Sequence, residues 1–285
     1  MRPLAAGPRK GMSLSELLIG MVILAIVGLA LTGTLRSQAR YFDHQKTSTL
    51  ARAVARGPIN RVVSDLRMVE ARGGMISATS AQIEVRVPYA MGVVCGAGPN
   101  NTSTHVSLLP VDSAMFAAPG YSGYAWRGGD GVYRYKDDNN TKDVGTQTIC
   151  TDAQIGVLTA EGAKTIKLSP MLPDTASYGT PVFLYRKIRY KFAASGMVPG
   201  AVGLWRTRME NGQSEELAAP YDATAKFRFF VGSSMTAQDN PPGDLSTVRG
   251  IELNMTAMSE RAPSGAAAKQ KAPFITAVFF KNRLD

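Results

Sequence analysis

The sequence predicts an α+β protein in which one long N-terminal helix is followed by an antiparallel, β-rich head. Three observations carry that expectation. Leu17–Leu35 is a run of 19 residues without a charge, and helical spacing of apolar residues continues beyond it to Arg72. Past residue 75 the apolar period drops from 3.6 to 2. Turns containing Gly and Pro then divide the remaining chain into short alternating runs.

Residues 1–11, MRPLAAGPRKG, carry Arg2, Arg9 and Lys10 and no acid. The uncharged run after them would rise roughly 28 Å as a helix, close to the hydrocarbon thickness of a bilayer. Basic residues ahead of such a span hold the N-terminus on the cytoplasmic side and leave the body outside. Glu16 stands at the entrance of the run. One reading makes it an interfacial carboxylate that reaches back towards water. The other gives it a task.

From Arg36 to Arg72 the pattern is amphipathic. Leu50, Val54, Val62, Leu66 and Val69, with Pro58, form one apolar face. Gly57-Pro58 predicts a kink or break, because proline removes a backbone donor and crowds the preceding turn. Gly73-Gly74 is expected to end the helix. Ile83, Val85 and Val87 then alternate with polar neighbours, predicting a half-buried strand closed by Pro88. Further strands are expected over 131–135, 164–168, 182–192, 203–209, 226–231, 248–257 and 274–281. Turns are expected at 97–100, 119–120 and 240–243, and residues 259–272 read as a loop.

Composition bounds the function. With 45% hydrophobic and 19% charged residues, the chain of 285 is neither disordered nor low-complexity. Two Cys and two His are too few for a zinc ribbon or finger. The formal charge of +10 invites a nucleic-acid reading, but its distribution argues otherwise. Between Arg36 and Arg72 stand eight basic residues against three acidic ones, which is half of the excess on one helix. A solvated face, or contact with lipid phosphates and acidic neighbours, accounts for that. No basic patch interleaved with aromatics supports nucleic acid as a partner.

Lys10-Gly11 followed by Met12-Ser13-Leu14-Ser15-Glu16-Leu17-Leu18 resembles the class III signal of type IV prepilins and pseudopilins. The resemblance implies a leader over residues 1–11 and cleavage between Gly11 and Met12 by prepilin peptidase, with methylation of the new amine. It implies a filament-core and membrane helix over 12–35, its amphipathic continuation over 36–72, and a globular head over 73–285. Glu16 becomes the fifth mature residue, which in that family pairs with the N-terminal amine of a neighbouring subunit. The family usually has Phe then Thr where this chain has Met12 and Ser13. Phe183–Arg186, Gly203–Arg208, Phe227–Val231, Leu245–Leu253 and Val278–Arg283 follow in an order similar to PilW-type minor pilins and the J-type minor pseudopilins of type II secretion. The implied partners are other pilins or pseudopilins, prepilin peptidase and the inner membrane. The implied role is assembly near a filament tip, with no cofactor and no catalysis. The implied locations are the inner membrane, single-pass with the head periplasmic, and then a pilus or pseudopilus.

Outside the inner membrane thiols are oxidised, so Cys95 and Cys150 are expected to pair. Such a bond would contribute about 4 kcal/mol in the chain-entropy model, with two buried thiols as the alternative. Asp137–Asn140, near Asp130 and Asp143, offers oxygen ligands but lacks the spacing of a calcium loop, so it reads as a solvated turn. Gly96-Ala97-Gly98 reads as a turn, and His44 and His105 sit in no nucleophile motif. Two other functions stay open. One is a DNA- or surface-binding adhesin on the same scaffold. The other is a signal-anchored periplasmic enzyme, uncut or cut after Ala30. Residues 88–160 match no pattern.

Overall fold

The computed structural model describes residues 11, 13–97, 102–116, 121–137, 142–145, 163–173 and 176–280. It is α+β, as the sequence predicts: a long apolar N-terminal helix leads into a large antiparallel β-sheet. Helix α1 spans Leu14–Arg56 and α2 spans Ile59–Arg67, with the break at Gly57-Pro58.

The buried stripe differs from the predicted one at its start. Thr47, Ala51 and Ala55 are the inward residues of α1, while Leu50 is 53% exposed and Val54 only partly buried. Pro58, Val62, Leu66 and Val69 continue the same ladder. The small Ala51 and Ala55 let the helix axis approach the sheet, where a bulkier stripe would hold it off. The helix also ends earlier than Gly73-Gly74. Met68 caps α2: its N–H donates to the Asp65 carbonyl, and the following Val69 N–H to that of Leu66, both at 3.2 Å. The chain then doubles back so tightly that a Cβ on Gly74 would lie 2.3 Å from the Glu70 carbonyl oxygen. Gly73 takes a left-handed φ of +80° in this turn.

The strands are β1 Met75–Ala78, β2 Gln82–Ala97, β3 Thr104–Leu108, β4 Gly123–Arg127, β5 Tyr133–Asp137, β6 Lys142–Gly145, β7 Thr165–Leu168, β8 Pro181–Ala194, β9 Val202–Arg208, β10 Ser214–Tyr221, β11 Lys226–Val231, β12 Val248–Met258 and β13 Lys271–Phe279. A one-and-a-half-turn helix, α3 Pro110–Met115, follows β3. The main path through the sheet runs β11-β12-β10-β9-β8-β2-β3-β7-β6, with β13 beside β12 and the β4–β5 hairpin joined to β8.

The antiparallel pair β2–β8 is the spine, running from Gln82↔Lys191 to Val93↔Pro181. Pro88 does not close β2. It lies where β1 pairing has stopped at Val85 and β3 pairing has not begun at Gly92, so the missing N–H faces no strand there. A bulge between Pro88 and Ala90 shifts the phase by one residue. Inward residues are therefore Ile83, Val85 and Val87 before it and Ala90 and Val94 after it. On β8 the inward residues stay even-numbered throughout: Val182, Leu184, Ile188, Tyr190 and Phe192.

Two clusters result. The larger holds the helix stripe against the β1, β8 and β9–β13 side chains around Phe227, Phe229 and Leu253. The smaller fills the β3, β4, β7 lobe around Val106, Tyr124, Ile166 and Leu184.

The loop after β12 clasps α1. Arg261 donates to both oxygens of Asp43, at 2.6 and 3.3 Å, and the Ser264 N–H donates at 2.7 Å. These bonds, from Arg261 first, hold the Asp43 carboxyl below its ordinary range. Arg261→Ala is expected to speed amide exchange across 259–270 at least about tenfold while the β12 core amides keep their protection. Unchanged exchange in that loop would show the clasp to be ornamental.

Candidate functional site

Helix formation at the N-terminus begins at Ser13, whose hydroxyl accepts from the Glu16 N–H at 3.3 Å. In return Glu16 Oε2 accepts from the Ser13 N–H at 2.9 Å and from its hydroxyl at 3.2 Å. This reciprocal capping box turns the carboxylate back over the first turn, where the N-terminal end of the helix dipole favours negative charge. Gly11 is exposed, and a Cβ there would have no atom within 4 Å. Met12 lies outside the described residues. Glu16 is thus folded back onto Ser13, and in sequence it stands five positions after Gly11.

Among the described residues the apolar run that follows has no partner. Leu14–Phe42 is exposed throughout. Among the described residues one helix is long and apolar enough to cross a membrane, and its most apolar window is 0% buried. Its only hydroxyls over 17–35 bond inward: Thr32 donates to the Leu29 carbonyl and Thr34 to that of Ala30, both at 2.9 Å. Every polar group in the span is therefore satisfied without water. Gly20, Gly28 and Gly33 have nothing within 4 Å of a notional Cβ, leaving shallow places along the rod. What such a surface can do is enter lipid or pack against like helices.

Residues 8–32 match the family model of the prokaryotic N-terminal methylation motif. The chain carries a type IV prepilin-like signal. That signal supports processing by prepilin peptidase and assembly with other pilins, and with the single apolar helix it is consistent with a single-pass inner-membrane anchor. No curated protein and no solved structure matches the chain. The matched segment contains Gly11, Met12 and Glu16 and stops short of the head.

Apart from His44, the remaining candidates sit in the head. Cys95 is buried on β2, 7% exposed. Cys150 lies outside the described residues, as do Asp138–Asn140 of the acidic turn, Gly98, and the predicted turn at 119–120. Asp130 and Asp137 are committed to ion pairs. Asp130 accepts from Arg134 at 2.7 Å, which holds its carboxyl far below the usual range. Asp137 accepts from Arg86 at 3.1 Å, Lys187 at 2.9 Å and the Tyr185 hydroxyl at 2.5 Å. Burial raises its pKa, but those hydrogen bonds and the Arg86 charge outweigh it and leave the carboxyl below its ordinary value. His105 lies on β3, 4% exposed, and burial pushes its pKa down. His44 is exposed on α1.

Two features beyond the N-terminal segment escape sequence reasoning. On α2, Asp65 receives the Tyr190 hydroxyl at 2.6 Å and two Arg206 nitrogens at 3.1 Å, joining helix to sheet inside the larger core. Burial first, then the Asp65 charge, drives the Tyr190 pKa up, so the phenol stays a donor. A cleft of about 1080 Å³ also opens between the turn after α2, the β4–β5 turn and the β11–β12 connection. Its walls come from segments far apart in sequence, so no local motif announces it.

Proposed function

We propose that this chain is a minor pilin or minor pseudopilin. It is cut between Gly11 and Met12, methylated at Met12, and assembled into a type IV pilus or pseudopilus near its tip. The observation that carries this reading is the methylation-motif match over residues 8–32, with Gly11 and Glu16 at the family's spacing inside it. The unpartnered helix supports it. An apolar rod with no partner among the described residues needs a membrane before assembly and other helices after it. Within a filament core an isolated carboxylate is costly, so Glu16 pairs with the N-terminal ammonium of an incoming subunit and specifies its register.

The head supports the finer assignment to the PilW-type or J-type group through its strand order and its size, which suits a position free of close neighbours. Function on this reading is assembly, with no catalytic step. The Cys95–Cys150 bond, formed outside the inner membrane, is part of the same proposal and braces the distal lobe.

The deciding measurement is the intact mass and N-terminal sequence of the protein recovered from membranes. A chain beginning at N-methylated Met12 is the expected result. A chain beginning at Met1 or Leu31 would overturn the reading and restore the signal-anchor alternative.

A further inference from the structure

We propose that the cleft beside α2 is a docking site for a carboxylate-bearing peptide segment of a partner protein. Three arginines reach it from three separate parts of the chain: Arg72 from the turn after α2, Arg127 from the end of β4, and Arg249 from β12. Two acids share the lining, Glu70 and Asp130. Asp130 is already occupied by the Arg134 fork, at 2.7 and 2.9 Å, and by the Val132 N–H at 3.1 Å. The site therefore keeps an excess of guanidinium charge.

Those guanidinium groups hold donors in reserve. Arg127 uses its Nε to bond the Gly131 carbonyl at 3.1 Å. That bond steadies the side chain, and among the described residues its two terminal nitrogens bond nothing. Arg72 is exposed and forms no ion pair among the described residues. Arg249 is braced from behind, with one terminal nitrogen on the Ser234 carbonyl at 2.5 Å and the group 5.4 Å from the Phe279 ring centre. Its Nε is buried without a hydrogen-bond partner. A buried donor left unmade is costly, and a ligand that reorganises this wall recovers that cost.

The shape and the charge pattern select the occupant. A volume of about 1080 Å³ lies at or above the range of small-molecule pockets, and it suits several residues of extended chain. A second hollow of about 90 Å³ adjoins it, sharing Glu70 and Tyr133 and walled by Met68, Phe183 and Tyr185. An apolar side chain beside a carboxylate would place one group in each. The planar fork of arginine matches a carboxylate through two parallel hydrogen bonds. Nucleic acid fits less well, because a continuous line of phosphates would pass Glu70 and Asp130 as well as the arginines.

The inference goes beyond the assembly reading and does not rest on processing at Gly11. It is tested with the full chain in nanodiscs of zwitterionic lipid, by fluorescence anisotropy. The probe is a fluorescein-labelled octapeptide alternating Glu and Val, compared with its Gln–Val counterpart and with a twelve-nucleotide single strand of DNA. Saturable binding of the Glu–Val peptide is expected, weakened about tenfold or more in the Gln–Val peptide. The double variant Arg72→Gln, Arg127→Gln should lose a similar factor with its melting temperature unchanged. Both residues are exposed, so the fold should survive their loss. Arg52→Gln, a change in an exposed guanidinium on α1 outside the cleft, should not weaken the peptide. Absence of saturable binding, equal binding of the two peptides, an unaffected double variant, or tighter binding of the oligonucleotide would each overturn the proposal.

Discussion

Replacing Asp65 with alanine is expected to cost the head about 3–5 kcal/mol, because it strands a charge inside the larger core. Arg206 is 3% exposed and aims two nitrogens at the Asp65 carboxylate, while the Tyr190 hydroxyl donates to the same oxygen. Without Asp65, Arg206 keeps its bond to Glu215 at 3.2 Å, but that carboxylate is 57% exposed and compensates weakly. Urea unfolding of the full chain in detergent, followed by the fluorescence of Trp126 and Trp205, measures the loss. Hydrogen exchange should show the amides of 59–69 opening first, since the residue removed is the polar tie between α2 and β8–β9. The apolar triple replacement Asp65→Leu, Arg206→Met, Tyr190→Phe, which leaves no member of the triad unpaired, should recover most of the stability, as buried polar groups exchanged together for hydrophobes of similar volume usually do. A single-variant loss under about 1 kcal/mol would show that the triad orders the interface without stabilising it.

That triad also shows where sequence reasoning stops. Asp65 reads as one of three acids diluting a basic helix, because its partners lie 125 and 141 positions further on. The break at Gly57-Pro58 and the strands around 83–87, 182–192, 226–231 and 248–257 are legible, since each depends on local geometry or on one wet face alternating with one dry face. Strands β3 and β4 are not legible. All five residues of β3 are buried, as are the first four of β4, so polar alternation has nothing to mark. Strand β10 begins Ser214-Glu215-Glu216, which has no apolar phase at all, and is held by pairing with β9. The helix stripe is legible in period but misplaced at Leu50, because Ala51 and Ala55 look like filler until the sheet surface they approach is present. The site at the N-terminus is the opposite case. Gly11, Glu16 and most of the apolar run lie in one contiguous matched segment, residues 8–32, so the sequence displays the motif whole.

The charge on Glu16 can be separated from its capping role, which makes Glu16→Gln a sharper experiment than alanine. Glutamine keeps an oxygen that accepts the Ser13 N–H and so preserves the capping box. It removes only the negative charge that an incoming N-terminal ammonium would meet. Cleavage at Gly11 should proceed normally, leaving a chain that starts at Met12, because the leader and Gly11 are untouched. Incorporation into filaments should fall more than about tenfold, since losing one partner of a buried ion pair leaves the other unpaired in a low-dielectric core. Glu16→Ala should fall at least as far, having lost charge and cap together. If the Gln variant were incorporated normally and only the Ala variant failed, Glu16 would be a helix cap, and the register of the filament would have to be specified elsewhere on the rod. If both failed and an acidic residue restored at the same position as Asp recovered part of the loss, the carboxylate itself would be the recruiting group. The shorter Asp side chain withdraws the charge by one methylene, so partial rather than full recovery is the outcome that fits a pair of defined geometry.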